Sequence, residues 1–285
     1  MKPRAVVVFD FDGTLISNDY VSLYNVVDQA VVGFDAEEYK DKVNKLRNKY
    51  FAIVKRRKLT VKEQTEWFNR TIELYFEFGL TKQEAKDILR TVKLRDGVKE
   101  CLEMLKEENI PVAVISYGIK DFIEFVLEVN GVSHLVDKIY SAKLRTFKYD
   151  VGIITGFYKE TLILPRDKKR AAHEFAKKHK VPYKKIIGVG DSIHDDGLGD
   201  TKNNRFGIAN DEDKVKLLQR CMGTVSREET FSDVQKWLEK KLDINQGRPE
   251  EDKYLEACAN PLCGRNNKVC HDCGNFILRQ FRISD

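Results

Sequence analysis

Asp10 and Asp12 stand two residues apart in the run Asp10-Phe11-Asp12-Gly13-Thr14. The five residues before them, Ala5-Val6-Val7-Val8-Phe9, are all apolar. Such a run reads as a buried strand of a parallel sheet. Side chains two apart on an extended chain point the same way, so both carboxylates leave the strand's C-terminal end together. Open α/β sheets hold their ligands at that end. Gly13 lets the chain turn there. Carboxylates so close repel unless a cation or a shared proton relieves them. That cost marks the pair as chemistry rather than packing.

Three further stations have the same character. Ser116-Tyr117-Gly118 follows the apolar run Pro111–Ile115. It offers a hydroxyl and backbone amides able to cradle an oxyanion. Lys168 falls near the start of a helix expected over 167–179, a cation where anionic oxygens need neutralising. Gly190-Asp191-Ser192-Ile193-His194-Asp195 follows the apolar run that begins at Ile186. Carboxylates there, converging with Asp10, would make a hard-cation site suited to Mg²⁺. His194 reads either as a group lining that site or as a loop histidine.

A separate cluster closes the chain. Cys258-x4-Cys263-Gly264 and Cys270-x2-Cys273-Gly274 form two half-sites. Four thiolates in a tetrahedron suit a structural Zn²⁺. So small a module would take its stability from the metal. It could pack on the rest of the protein, form a homodimer or dock a protein partner. Its mixed charges give nucleic-acid binding no support. Cys101 and Cys221 stand alone and read as small core residues.

The elements that position these stations alternate. The first strand and its site occupy residues 5–12. From 17 to 93 the pattern becomes helical, about four helices and no strand. Asp35…Glu38, Thr60…Glu63 and Thr81…Glu84 all read as capping boxes. Strand and helix then alternate: helix 96–108, strand 111–116, helix 121–130 stopped by Gly131, strand 138–141. An antiparallel excursion covers 146–164 with a turn near Lys148. The helix at 167–179 follows, then strands 186–190 and 206–209, and helices 211–220 and 231–242. This order predicts an α/β fold, a Rossmann-like parallel sheet with helices on both faces. The expected parts are a core of residues 1–16 and 94–242, an inserted helical cap over 17–93, a polar linker over 243–257 and the cysteine module over 258–285.

Composition sets the class. The 285 residues are 42% hydrophobic and 33% charged, a globular balance. Apolar runs fall short of membrane-spanning length. No signal-peptide pattern precedes the aspartates, so the expected compartment is the cytoplasm. A net charge of +5 suits an anionic substrate.

The four stations, in this order and spacing, resemble the haloacid dehalogenase superfamily from residue 5 to about 242. Lys168 precedes Asp191 by 23 residues, room for one helix, a loop and a strand. The resemblance implies that Asp10 is a nucleophile forming an aspartyl-phosphate. Asp12 would protonate the leaving alcohol and then activate water, and Thr14 would orient Asp12 or its loop. Ser116 with the amides of Tyr117 and Gly118, and Lys168, would bind the phosphoryl oxygens. Asp10, the Asp12 carbonyl and Asp191 would ligate Mg²⁺, with Asp195 behind them or bonded to Lys168. A second carboxylate at Asp12 points to phosphomonoesters rather than dehalogenation. His194 stands where many relatives carry Asn.

The helical insertion resembles those of cytosolic pyrimidine 5′-nucleotidases and phosphoserine phosphatases. Lys49-Tyr50-Phe51-Ala52-Ile53, then Leu59-Thr60-Val61-Lys62-Glu63 and Trp67, lean to the nucleotidases. There an acidic residue tends to follow Ile53; here the run is Val54-Lys55-Arg56-Arg57-Lys58. Tyr50, Phe51, Trp67 and Phe68 read as base-stacking groups or as core. A nucleoside 5′-monophosphate or similar small phosphometabolite is the implied substrate. A phosphoserine-phosphatase-like enzyme and a scaffold using the cysteine tail are the alternatives.

Overall fold

The computed structural model describes residues 3–16, 19–20, 22–31, 35–147, 152–209, 219–226 and 230–244. Among the described residues the strands are β1 (Val6–Phe9), β2 (Val112–Ile119), β3 (Lys138–Ala142), β4 (Leu144–Thr146), β5 (Ile154–Phe157), β6 (Ile186–Gly190), β7 (Arg205–Ala209) and β8 (Gly223–Ser226). Six of them form one sheet in the order β3-β2-β1-β6-β7-β8. All its pairings are parallel, as continuous apolar strands require. Strands β4 and β5 pair antiparallel in a separate ribbon. Because β2 and β6 flank β1, the chain order reverses at β1, where sheets of this kind open a crevice.

The helices are α1 (Leu23–Val27), α2 (Ala36–Val54), α3 (Val61–Glu77), α4 (Lys82–Leu89), α5 (Val98–Glu107), α6 (Lys120–Val129), α7 (Lys168–Lys178) and α8 (Ser232–Lys241). Alternation along β1 sends its side chains to two faces. Val6 and Val8 join Ala113, Ile115, Ala172 and Phe175 in the core under α7. Phe9 turns the other way, its ring 6.0 Å from that of Phe231. Met1–Leu238 make one compact unit, which carries everything discussed below. The second unit, Glu239–Asp285, is described only to residue 244, where the Ile244 N–H donates to the Glu239 carbonyl. No helix among the described residues is long and apolar enough to cross a membrane.

Between β1 and α5 the described residues form four helices and no strand. The chain leaves at Ile16 and returns at Leu94, and these two pair as a single antiparallel bridge. Arg95 reinforces that root: its backbone N–H donates to the Leu15 carbonyl at 2.9 Å. Its buried guanidinium donates to the carbonyls of Thr14 and Gly13, at 3.3 and 3.2 Å. At the far side Lys82 of α4 pairs with Asp121 of α6, whose other oxygen accepts the Leu144 N–H at 2.9 Å.

Several local expectations change. Thr60 and Thr81 form capping boxes with Glu63 and Glu84, each cap contributing about 1 kcal/mol. Asp35 does not cap α2 with its side chain. A cap reaches back from an extended backbone, as in Thr60 and Thr81, whereas Asp35 is already helical at φ −90°, ψ −3°. Strand β2 runs on to Ile119 rather than ending at Ser116. Its register against β3 shifts between Ile115 and Ile119, so Ser116, Tyr117 and Gly118 bulge from the ladder. The antiparallel pairing expected over 146–164 is that of β4 with β5, and the rest of the segment holds a short 3₁₀ turn, Lys159–Thr161. Strand β8 was not apparent, being short and half polar. The helix expected at 211–220, the turn near Lys148, most of the 243–257 linker and Cys258, Cys263, Cys270 and Cys273 lie wholly or largely outside the described residues.

Candidate active site

Three neighbouring strands deliver the polar groups to one edge of the sheet. Asp10 follows β1 and stays stitched to β6, its N–H donating to the Val189 carbonyl at 2.9 Å. Asp191 follows β6, and Ser116 bulges from β2. Helix α7 starts at this edge with its first residue, Lys168, aimed into the crevice. The Lys168 Nζ donates to Asp10 Oδ1 at 2.8 Å and to Asp195 Oδ1 at 2.6 Å. The lysine side chain is only 4% exposed, so these are buried charges, not a solvated pair. Burial works to pull the Lys168 ammonium down, but Asp10 and Asp195 outweigh it and hold its pKa above the ordinary lysine value.

Asp195 is itself fixed. Its Oδ2 accepts the Ser192 N–H at 2.9 Å and the Ser192 hydroxyl at 3.0 Å. The fit is close at Gly190, where an added Cβ would lie 2.4 Å from Asp195 Cβ and Cγ. Gly190→Ala is therefore expected to push Asp195 off Lys168. A displacement near 1 Å in such a site costs on the order of 10²-fold in kcat. Steady-state kinetics on a variant whose thermal melt confirms folding checks this; an unchanged kcat would show that the Asp195 position does not matter.

Ligand oxygens of Asp10, Asp191 and Asp195 all lie within 4.8 Å of one another. Three carboxylates against one lysine leave an excess of negative charge, and an all-oxygen donor set suits a hard divalent cation. Burial pushes the Asp10 carboxyl well above the usual range; Lys168 opposes this, while Asp195 and Asp191 add to it. A cation among the three would relieve that repulsion. The Asp12 carboxylate is outside this cluster. Its Oδ1 accepts the Leu23 N–H at 2.9 Å, at the start of α1. Burial pushes its pKa up to about 6, against the Leu23 amide and Lys168. A carboxyl near 6 is close to the range in which proton transfer is efficient at neutral pH.

Ser116 is buried, and its Oγ accepts the Gly118 N–H at 3.0 Å. The Tyr117 side chain turns into the helical block, where its hydroxyl donates to the Gln64 carbonyl. What Tyr117 offers the crevice is backbone. The Thr14 hydroxyl is buried and makes no hydrogen bond to Asp12 or to any other described group. His194 is exposed and lines the cavity above the acidic loop.

From Asp10 and Asp12 a cavity of about 830 Å³ extends into the helical block. Its far walls are largely apolar, with Val43, Leu46, Val54, Trp67 and Leu74 among them. The aromatic residues divide into two kinds. Tyr50 is fully buried and stacks on Trp67, 5.1 Å between centroids at 7°. One face of Trp67 is thus occupied, while Trp67, Phe51 and Phe68 line the cavity. In the basic run, Lys55 and Arg56 are exposed and Arg57 pairs with Glu63 at 2.7 Å. Lys58 alone of the four lines the cavity. Asn25, Asp28, Arg47 and the clamp at Arg95 carried no sequence signal: their contacts join separate elements with no spacing rule between them.

These features agree with what sequence comparison finds. The sequence model of the family described as pyrimidine 5′-nucleotidase (UMPH-1) matches residues 11–221, well over half of the chain. The chain belongs to the pyrimidine 5′-nucleotidase family. It is 30% identical over 227 residues to the 7-methylguanosine phosphate-specific 5′-nucleotidase of Homo sapiens, covering 73% of this chain and 74% of that one. It is 27% identical over 194 residues to a phosphoserine phosphatase of Archaeoglobus fulgidus, covering 68% of this chain and 49% of that one. The chain therefore spans about half the length of that phosphatase. Among solved structures, cytosolic 5′-nucleotidase IIIB bound to cytidine superposes with a TM-score of 0.66 at 21% identity, covering 85% and 87% of the two chains. A phospho-aspartyl intermediate analogue of phosphoserine phosphatase superposes with a TM-score of 0.58 at 17% identity, covering 83% and 99%. At these identities the structures establish the fold alone, one shared with cytosolic 5′-nucleotidase IIIB and phosphoserine phosphatase. The matched residues span both the crevice and the helical block, whose cavity is lined by Val54 and Lys58.

Proposed function

We propose that the protein is a Mg²⁺-dependent phosphomonoesterase acting on a nucleoside 5′-monophosphate. The observation that carries the reading is Lys168 held between Asp10 and Asp195, with Asp12 two residues on, at the floor of a large cavity. Asp10 attacks phosphorus in line and forms an aspartyl-phosphate. Asp12 protonates the departing alkoxide, then takes a proton from the water that hydrolyses the acyl phosphate. Lys168, the Ser116 hydroxyl and the amides around Gly118 neutralise the phosphoryl oxygens. Asp10, Asp191, Asp195 and the Asp12 carbonyl are the groups that would hold Mg²⁺, which supplies the remaining positive charge against the phosphoryl group.

The cavity favours a nucleotide over phosphoserine. Its volume is in the range of drug-sized ligand sites, and its far walls are apolar and aromatic. A phosphorylated amino acid would leave most of it empty. A panel of phosphomonoesters with Mg²⁺ tests the reading. Nucleoside monophosphates are expected to be hydrolysed well above phosphoserine. Chelation with EDTA is expected to lower kcat by at least about 10²-fold, reversed by added Mg²⁺. Phosphoserine as the preferred substrate, or full activity in EDTA, would contradict it.

A further inference from the structure

Phosphoryl transfer accounts for the polar groups at the cavity floor, but not for those in its wall. Asn25 and Asp28 face the cavity from α1 and the 3₁₀ turn Asp28–Ala30 that continues it. Arg47 reaches them from α2. Its Nη2 donates to Asn25 Oδ1 at 2.8 Å and to the Asp28 carboxylate. The Tyr39 hydroxyl donates to the other Asp28 oxygen at 2.5 Å.

Helix α1 sets where this cluster sits relative to the chemistry. Its Leu23 amide binds Asp12, and Asn25 and Asp28 come two and five residues later. At 1.5 Å per residue they lie about 3 to 8 Å further along. That is the span of a ribose. A nucleotide whose phosphoryl group rests at Asp10 therefore brings its base to this wall.

The wall is rich in donors. Asp28 already accepts from Tyr39 and Arg47. Arg47 Nε and Nη1, and Asn25 Nδ2, make no hydrogen bond to a described residue. Val54, which also lines the cavity, offers no acceptor. Guanidinium N–H groups pair with an exocyclic base carbonyl, O4 of uracil or O6 of hypoxanthine, whose oxygen has two lone pairs to accept them. An amino group in place of that carbonyl would face the Arg47 and Asn25 donors, and a polar site rejects a partner that leaves its groups unpaired.

We infer that Arg47, assisted by Asn25, reads a carbonyl-bearing edge of the base, so that the enzyme prefers oxo-bases to their amino counterparts. This rests on the nucleotidase reading and adds the class of base. Two matched pairs isolate the exchange: UMP against CMP, and IMP against AMP. In each, a carbonyl replaces an amino group and the adjoining ring nitrogen gains a proton.

The test is kcat/KM for the four nucleotides, with p-nitrophenyl phosphate as a substrate lacking a base. The wild type is expected to favour the oxo member of each pair by on the order of 10-fold. Arg47→Lys keeps a cation beside Asp28 but loses the planar fork, and should bring both ratios towards unity. Asn25→Leu removes a donor while leaving the Arg47–Asp28 pair, and should lower the ratios less. Thermal melts establish that the variants are folded, and either variant suffices if the other is not. Equal hydrolysis of all four nucleotides, preference for CMP and AMP, or a wild-type ratio in folded Arg47→Lys and Asn25→Leu would overturn this inference alone. Turnover of p-nitrophenyl phosphate with no nucleotide hydrolysed would overturn the nucleotide reading as well.

Discussion

Asp10→Asn is expected to abolish turnover of every phosphomonoester, by on the order of 10⁴-fold or more, because it removes the attacking oxygen. The substitution is nearly isosteric. Its amide oxygen can still accept from Lys168, which donates to Asp10 Oδ1 at 2.8 Å in the native protein. The melting temperature should therefore change little. That separation matters, since Asp10 is buried and follows a core strand. A folded but inactive protein assigns the carboxylate to chemistry. Retained activity would mean that another group attacks.

The second large effect is at Lys168, and it falls on stability as well as rate. Lys168→Met deletes the buried cation between Asp10 and Asp195. Removing one member of such a set leaves the others as uncompensated buried charges, a cost of about 3 to 5 kcal/mol. Loss of an electrostatic donor to the phosphoryl oxygens lowers kcat by about 10²- to 10³-fold besides. The two consequences respond differently to Mg²⁺. A divalent cation among Asp10, Asp191 and Asp195 replaces part of the missing charge, so Mg²⁺ should raise the variant's melting temperature more than the wild type's. Melts across a Mg²⁺ titration, paired with kcat, measure both. Equal Mg²⁺ stabilisation of the two proteins would mean that the ammonium and the cation do not share one cluster.

The strand ends were legible in the sequence because a buried parallel strand reads as a continuous apolar run. Val6–Phe9 and Ile186–Gly190 appear in this way, and Asp10 and Asp191 are the first polar residues beyond them. Lys168 was visible through its place at a helix start. The caps of α3 and α4 followed from Thr and Glu three apart, but the same spacing misled at Asp35. Spacing reports which groups could meet, whereas the backbone angle decides whether they do. The bulge at Ser116–Gly118 was hidden because residues on either side favour the strand equally. Least legible were contacts between elements. Arg95 grips Gly13 and Thr14 from 82 and 81 residues away, and Arg47 meets Asn25 across 22. No periodicity links such pairs; only the folded chain brings them together.

The central claim is that Asp10 carries the phosphoryl group between the substrate and water. Rapid acid quench during turnover, followed by mass spectrometry of the peptide containing Asp10, tests it most directly. The expected result is a mass increase of one phosphoryl group on Asp10, removed by hydroxylamine and absent in Asp10→Asn. Turnover with the phosphoryl group on another residue, or with hydroxylamine never intercepting an acyl phosphate, would contradict it.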